Sequence, residues 1–289
     1  MKSDILLSTK RLNELMQTGR CTVVDCRFDF SDSGKGKADW LAGHIPGAFY
    51  AHLDNDLAGP VETQTGRHPL PEPSEFARFL ASTGWSKGKL LVAYDEGSNA
   101  ISARLWWLMR YFGQPSALLD GGLAAWVEAG LLLEACVTRS EPSQPELLEA
   151  NENMIVSSAD IHRSLDSGAL PILDARARER YSGQVEFLDT RAGHIPGALN
   201  RPFTDNLDSS GRFREPARLK AQFESTPGLA SPDDVIHSCG SGITACHNLF
   251  AMELAGLGLT RLYPGSWSEW IRDPSRPVAT GKTPDGLFP

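Results

Sequence analysis

A six-residue string, GHIPGA, occurs twice in this chain, at 43–48 and at 193–198, an offset of 150 residues. Repetition at such a period constrains the fold more than any single element, because each copy must belong to a unit that buries its own core. Other landmarks keep step. Upstream, the strand-like CTVVDCR ending at Arg27 is echoed by LPILDAR ending at Arg176, so Asp25 and Asp174 hold like positions. Downstream, LLDGGLAAW at 118–126 is mirrored by LYPGSWSEW at 262–270. Ser8 opens an amphipathic stretch through Leu12 and Leu15 that closes at Gly19, and Ser157 opens another through Ile161 and Leu165 to Gly168. Serine caps and glycine stops are ordinary helix punctuation.

Between these landmarks each half carries an apolar run that reads as a buried strand, KLLVAY to Tyr94 and DVIHS to Ser238, followed by a helix. Ile101, Leu105, Leu108, Met109 and Phe112 share one face of the first helix, and Cys246, Leu249, Phe250 and Leu254 share one face of the second. Strands alternating with helices of this length predict parallel sheets flanked by helices, hence two tandem α/β domains. A length of 289 residues suits two cores. The expected boundaries are 1–137 for the first domain, 138–153 for a Pro-, Ser- and Glu-rich linker running over the surface, and 154–289 for the second.

The formal charge of −8, without clustered Lys or Arg, argues against a nucleic-acid partner. The opening MKSDILLSTKRLNEL has an apolar run of only three residues, too short for a signal-peptide core or a membrane span, so a cytoplasmic protein with no membrane partner is expected. The five cysteines are Cys21, Cys26, Cys136, Cys239 and Cys246. They are odd in number and follow neither a CxxC pattern nor a zinc spacing, which fits reduced thiols and no metal.

A duplicated domain supplies its own control: features kept in both halves serve the fold, and features found in one are candidates for chemistry. His44 and His194 of the GHIPGA copies therefore read as turn-holding residues, bonded from side chain to backbone. Asp25 with Arg27 and Asp174 with Arg176 read as internal ion pairs, and Trp126 and Trp270 as core. The sharpest difference lies at the strand-to-helix turn, YDEGSNAIS in the first half and SCGSGITAC in the second, where Asp95 stands at the position of Cys239. Such a turn is where α/β folds place ligand sites. Gly240, Ser241 and Gly242 let the backbone curl so that amides and the positive end of the helix converge on the Cys239 sulfur, favouring the nucleophilic thiolate. A buried core cysteine is the bland alternative, and a glycine-rich turn is poor ground for it. Cys246, on an apolar face, reads as core, and His237 and His247 as ordinary strand and helix residues. The loop lacks a Walker lysine for cradling phosphate, and Ala245 stands where a cysteine phosphatase needs its arginine.

With CGSGITAC, twin GHIPGA turns and YPGSWSEW, nearly the whole chain resembles the tandem-rhodanese sulfurtransferases, specifically those acting on 3-mercaptopyruvate. The resemblance implies that Cys239 takes sulfur from the donor as a persulfide, held by amides of Gly240, Ser241, Gly242, Ile243 and Thr244. A thiol such as thioredoxin, or cyanide, then accepts it. Ping-pong kinetics and no cofactor follow. The family's serine-centred relay maps onto Ser241, His68 and Asp54, with ordinary polar contacts as the alternative role for the last two. Arg180 matches the first of the family's two substrate arginines. The segment before the second GHIPGA is short and differently built, and Arg191 is the nearest substitute for the second. An uncharged loop suits a monoanionic donor better than the thiosulfate dianion. A thiosulfate sulfurtransferase with the same nucleophile is the nearest alternative, and a non-catalytic rhodanese module that binds a partner is the alternative of another class.

Overall fold

The computed structural model describes residues 5–141, 143–165, 171–229, 231 and 234–284. They form two compact units. One gathers the chain up to Gly59 with Leu70–Asn151 and Asp208–Phe213; the other gathers Pro60–Pro69, Glu152–Leu207 and the chain from Arg214.

The first unit is built on five strands: β1 (Leu6–Leu7), β2 (Cys21–Asp25), β3 (Phe49–Tyr50), β4 (Leu90–Tyr94) and β5 (Ser116–Leu119). All pair in parallel, in the order β1-β5-β4-β2-β3. The second unit has β6 (Ile172–Asp174), β7 (Leu199–Asn200), β8 (Ile236–Ser238) and β9 (Arg261–Leu262), also parallel, in the order β7-β6-β8-β9. Read from its other edge, this is the β5-β4-β2-β3 order of the first unit. Even β1 has a trace, because Ile155 bridges Leu262 in parallel as Leu6 pairs with Leu118. The α/β fold expected from the repeat is the fold observed.

β2 and β4 are buried almost throughout, and β6 and β8 entirely, which is why these strands read as unbroken apolar runs instead of alternating ones. In the first unit Leu7, Leu12, Leu15, Val23, Val92, Leu119 and Trp126 share a core; in the second Ile161, Ile172, Ile236, Trp267 and Trp270 do. Ser8 caps the helix Thr9–Gln17 by accepting the Arg11 amide, and Ser157 caps Ser158–Leu165 by accepting that of Asp160. Gly168 lies outside the described residues. The stretch 138–151 stays with the first unit, where Asn151 donates its amide to the Tyr111 carbonyl and Ser140 its hydroxyl to that of Ser82.

The duplicated polar residues brace each sheet in the same way. Arg27 binds Asp25 through two nitrogens and reaches the Gly43 carbonyl at 2.7 Å; Arg176 does the same with Asp174 and the Gly193 carbonyl at 2.8 Å. Nδ1 of His44 lies 2.7 Å from the Trp40 carbonyl and that of His194 2.8 Å from the Tyr181 carbonyl, both rings fully buried. These contacts pin the GHIPGA turns to their own units, the structural role that repetition predicts. No described helix is long and apolar enough to cross a membrane.

Candidate active site

β8 is flanked by β6 and β9, so the chain leaves the sheet at Cys239 and must turn through 240–243 into the helix Thr244–Leu254. Gly242 makes that turn at φ 79°, and a Cβ there would stand 2.4 Å from the Pro264 carbonyl oxygen, so only glycine fits. The curl brings the Gly242 N–H to the Cys239 sulfur at 3.1 Å. Ile243 is the last residue before the helix and is buried; Thr244 begins it. Cys246 packs in the core, its thiol donating to the Gly242 carbonyl at 3.2 Å.

Cys239 is 2% exposed, and its backbone is held by the segment 263–268. Its N–H donates to the Ser266 hydroxyl at 3.1 Å, while the amides of Trp267 and Ser268 donate to the carbonyls of Cys239 and Gly240 at 3.0 and 2.9 Å. Ser266 sits in the left-handed region, φ 54°, which is unfavourable for any residue with a Cβ. The strain is offset by its hydroxyl, which accepts from Cys239 and donates to the Tyr263 carbonyl at 2.9 Å.

Nδ1 of His68 lies 2.7 Å from the Ser241 hydroxyl, and both residues are buried. His68 comes from the first half of the sequence but belongs, with 60–69, to the second unit. Asp54 lies in the first unit, exposed on the short helix Leu53–Asp56, its amide 3.1 Å from Nδ1 of His52.

Two guanidinium groups border Gly240. A Cβ on that glycine would stand 3.0 Å from Nη2 of Arg67 and 3.5 Å from Nη1 of Arg180. Arg180 is fixed by Glu186, which accepts Nε at 3.2 Å and Nη2 at 2.8 Å, and by Asp189, 3.1 Å from Nη2. Arg67 binds the other oxygen of Asp189 through Nη1. Burial pushes the Glu186 carboxyl up, but hydrogen bonds from Arg180 and from the Leu188 and Asp189 amides, with the charge of Arg180, bring it below its ordinary value. A third arginine, Arg176, is 3% exposed; burial lowers its pKa, yet Asp174, Glu186 and Cys239 together hold it above the usual one. Arg191 is half-buried, and its carbonyl accepts the Trp267 indole N–H at 2.9 Å.

The structure thus gathers Cys239, Gly240, Ser241, Gly242, His68 and Arg180 in one place. Sequence reasoning missed Arg67, Glu186, Asp189 and Ser266. The only signal for Arg67 was its adjacency to His68, and Ser266 stands where the first repeat has Gly122, a difference the comparison of halves passed over. Chemically, the arrangement offers a thiol with an amide donor on its sulfur, a serine–histidine pair beside it and guanidinium nitrogens next door. Such a set is able to support nucleophilic attack on an anionic donor.

A family model for the rhodanese-like domain matches residues 8–129 and 157–273. The chain is 45% identical over 284 residues to a probable 3-mercaptopyruvate sulfurtransferase from Pseudomonas aeruginosa, covering 97% of this chain and 100% of that one. It is 33% identical to a putative thiosulfate sulfurtransferase from Mycobacterium tuberculosis, covering 97% and 98%. Its structure resembles that of 3-mercaptopyruvate sulfurtransferase from Leishmania major with a TM-score of 0.81 and 28% identity, over 92% of this chain and 74% of that one. With two family matches, one in each parallel-sheet unit, the chain belongs to the rhodanese-like domain family as a tandem pair.

Proposed function

We propose that this protein is a sulfurtransferase that takes a sulfur atom from 3-mercaptopyruvate onto Cys239 and passes it to a thiol or to cyanide. The observation that carries this reading is the Gly242 amide aimed at the Cys239 sulfur from a turn that glycine alone can make. An amide so placed stabilises negative charge as it develops on a sulfur bound there. The names of the relatives from Pseudomonas aeruginosa and Leishmania major support the choice of donor.

In the first half-reaction the Cys239 thiolate attacks the donor sulfur. A sulfur–sulfur bond forms and the donor carbon–sulfur bond breaks, its electron pair leaving as the enolate of pyruvate. The donor's thiol proton passes through the Ser241 hydroxyl and His68 and ends on the enolate carbon, giving pyruvate. Their 2.7 Å contact suits such a relay. Arg180 binds the donor carboxylate. In the second half-reaction an acceptor thiolate, such as that of thioredoxin, or cyanide attacks the outer sulfur and regenerates the Cys239 thiolate. Donor and acceptor alone balance both steps. All five cysteines are free thiols, which supports a reducing, cytoplasmic setting.

The test is sulfur transfer to cyanide from 3-mercaptopyruvate and from thiosulfate side by side, comparing kcat/KM, with intact-mass measurement of one added sulfur on Cys239. A mercaptopyruvate preference with the adduct is expected. Thiosulfate preference would replace the donor and keep the nucleophile, and no adduct from either would leave a binding module.

A further inference from the structure

We propose that Arg67 is the second arginine that reads the donor's carboxylate, and that Asp189 is the positioning residue that couples it to Arg180. The inference rests on the carboxylate-bearing donor proposed above. Its starting point is the division of labour among guanidinium nitrogens. Hydrogen bonds among the described residues use Nη1 of Arg67 and Nε and Nη2 of Arg180, all on Glu186 and Asp189. Of the atoms that come nearest Gly240 at the nucleophile's shoulder, Nη2 of Arg67 and Nη1 of Arg180 take no part in those bonds, and Nη2 of Arg180, which does, comes next. One carboxylate, Asp189, thus holds two guanidinium groups by separate oxygens and turns one donor of each toward the same small space. Two N–H donors from different directions are what a carboxylate accepts through its two oxygens.

Arg67 is also fixed from its backbone. Its N–H donates to the Ser268 hydroxyl at 3.0 Å, and the Ser268 amide holds the Gly240 carbonyl. Gly66 approaches so closely that a Cβ there would stand 2.5 Å from the Gly265 carbonyl oxygen. The arginine is therefore anchored to the same segment that anchors the cysteine loop. Arg191, the substitute expected from sequence, contributes its carbonyl to Trp267.

Charge balance decides what the clamp takes. Arg67, Arg176 and Arg180 face Asp174, Glu186 and Asp189, three cations against three anions. Glu186 and Asp189 each have side chains 4% exposed, so their charges are poorly screened by water. With no surplus positive charge among these six groups, the clamp recognises a planar monoanion by geometry and gives a dianion such as thiosulfate little extra attraction.

The test uses the full chain with Arg67→Met, Arg67→Lys and Asp189→Asn. Steady-state rates with 3-mercaptopyruvate are compared with Cys239 persulfide formation from sodium tetrasulfide, a donor without a carboxylate, read by intact mass. Arg67→Met is expected to raise the mercaptopyruvate KM about ten-fold to a hundred-fold, the range for lost hydrogen bonds to a charged group, while kcat changes far less and tetrasulfide loading persists. Arg67→Lys, which keeps the charge but not the fork, is expected to recover only part of the loss. Asp189→Asn is expected to raise the mercaptopyruvate KM and to shift the kcat/KM ratio toward thiosulfate, since it leaves one positive charge unbalanced. An unchanged mercaptopyruvate KM in Arg67→Met, with the parent protein active, would overturn the assignment of Arg67 alone. If Arg67→Met loads no sulfur from tetrasulfide, Arg67→Lys carries the same comparison, and parental KM in it would overturn the two-pronged clamp. A parent protein inactive with 3-mercaptopyruvate but loaded by tetrasulfide would remove the donor reading, and this proposal with it.

Discussion

In the turn after β4 the Asp95 carboxylate collects the amides of Gly97 and Asn99 on one oxygen and those of Ile101 and Ser102 on the other, at 2.9–3.2 Å. In the turn after β8 the residue in that place is Cys239, whose sulfur meets the amide of Gly242. The frames around the two turns match closely. Leu123 and Ala124 donate to the carbonyls of Asp95 and Glu96 as Trp267 and Ser268 do to those of Cys239 and Gly240, and Gly122 sits at φ 55° where Ser266 sits at φ 54°. One turn carries its own anion and is satisfied. The other holds a thiol, and an outer sulfur added to it would bring the negative charge that such a turn favours. A cavity of about 740 Å³ still opens at the first turn, bordered by Arg27, Phe28, Ser98 and Ile101, so space for a ligand alone does not make a reactive turn.

The comparison is broken most directly by exchanging the two residues. Cys239→Ser is expected to abolish turnover and the gain of one sulfur, because a hydroxyl fits the turn but cannot carry sulfane sulfur; the thermal midpoint should hardly move. Asp95→Cys in that background is expected not to restore the adduct. The helix after Asp95 begins only at Ser102, leaving the turn two residues longer than the one between Cys239 and Thr244, so the amides around the two positions are not superposable. Intact mass after donor treatment checks both variants. A sulfur adduct on Asp95→Cys would show that the residue, and not the turn, makes the difference.

Asp95→Ala sharpens the comparison through stability. It leaves three buried amides and the half-buried one of Gly97 without their acceptor, and the expected loss is about 2–4 kcal/mol, in line with the penalty for buried donors that lose a charged partner. Hydrogen exchange should locate the loss in β4, while Cys239 still loads sulfur. Equal loss in β8 would mean that the carboxylate does not act on its own turn.

Much of this contrast is legible in the sequence because duplication aligns the chain with itself: the α/β units, the paired ion bridges and the exchange of Asp95 for Cys239 all follow from the register of the repeats. The arginine clamp is not. Arg67 and Asp189 are 122 positions apart and neither has a counterpart that repetition could flag, so no local period connects them. Arg191 illustrates the converse. Its place in the chain recommends its side chain, yet its carbonyl is what the fold demonstrably uses. Ser266 escaped because a serine gives no hint of a left-handed backbone; only the glycine at 122 does.

The subtlest expected difference concerns pH. His237 of β8 stands where β4 has Ala93, and it is fully buried, with Met252 sulfur 3.0 Å from Nε2 and, among the described residues, no hydrogen-bond partner on Nδ1. Burial, reinforced by the charge of Arg201, pulls its pKa down to about 3. His194, buried in the same unit, is lowered as well, burial again being the larger cause. In the unfolded chain these imidazoles take up protons near pH 6.5, whereas native His237 stays neutral until about pH 3. The unfolded state therefore binds more protons in between, and stability falls as pH drops through 6.5. For His237 alone the loss at pH 5.5 is about 1 kcal/mol relative to pH 7.5. Hydrogen exchange at β8 should register it and that at β4 should not, over a range too high for most carboxylates to titrate. His237→Leu, of similar volume and unable to take a proton, should remove the His237 part of the slope. If β8 and β4 lose protection equally between pH 7.5 and 5.5, the buried imidazole does not set the second unit apart.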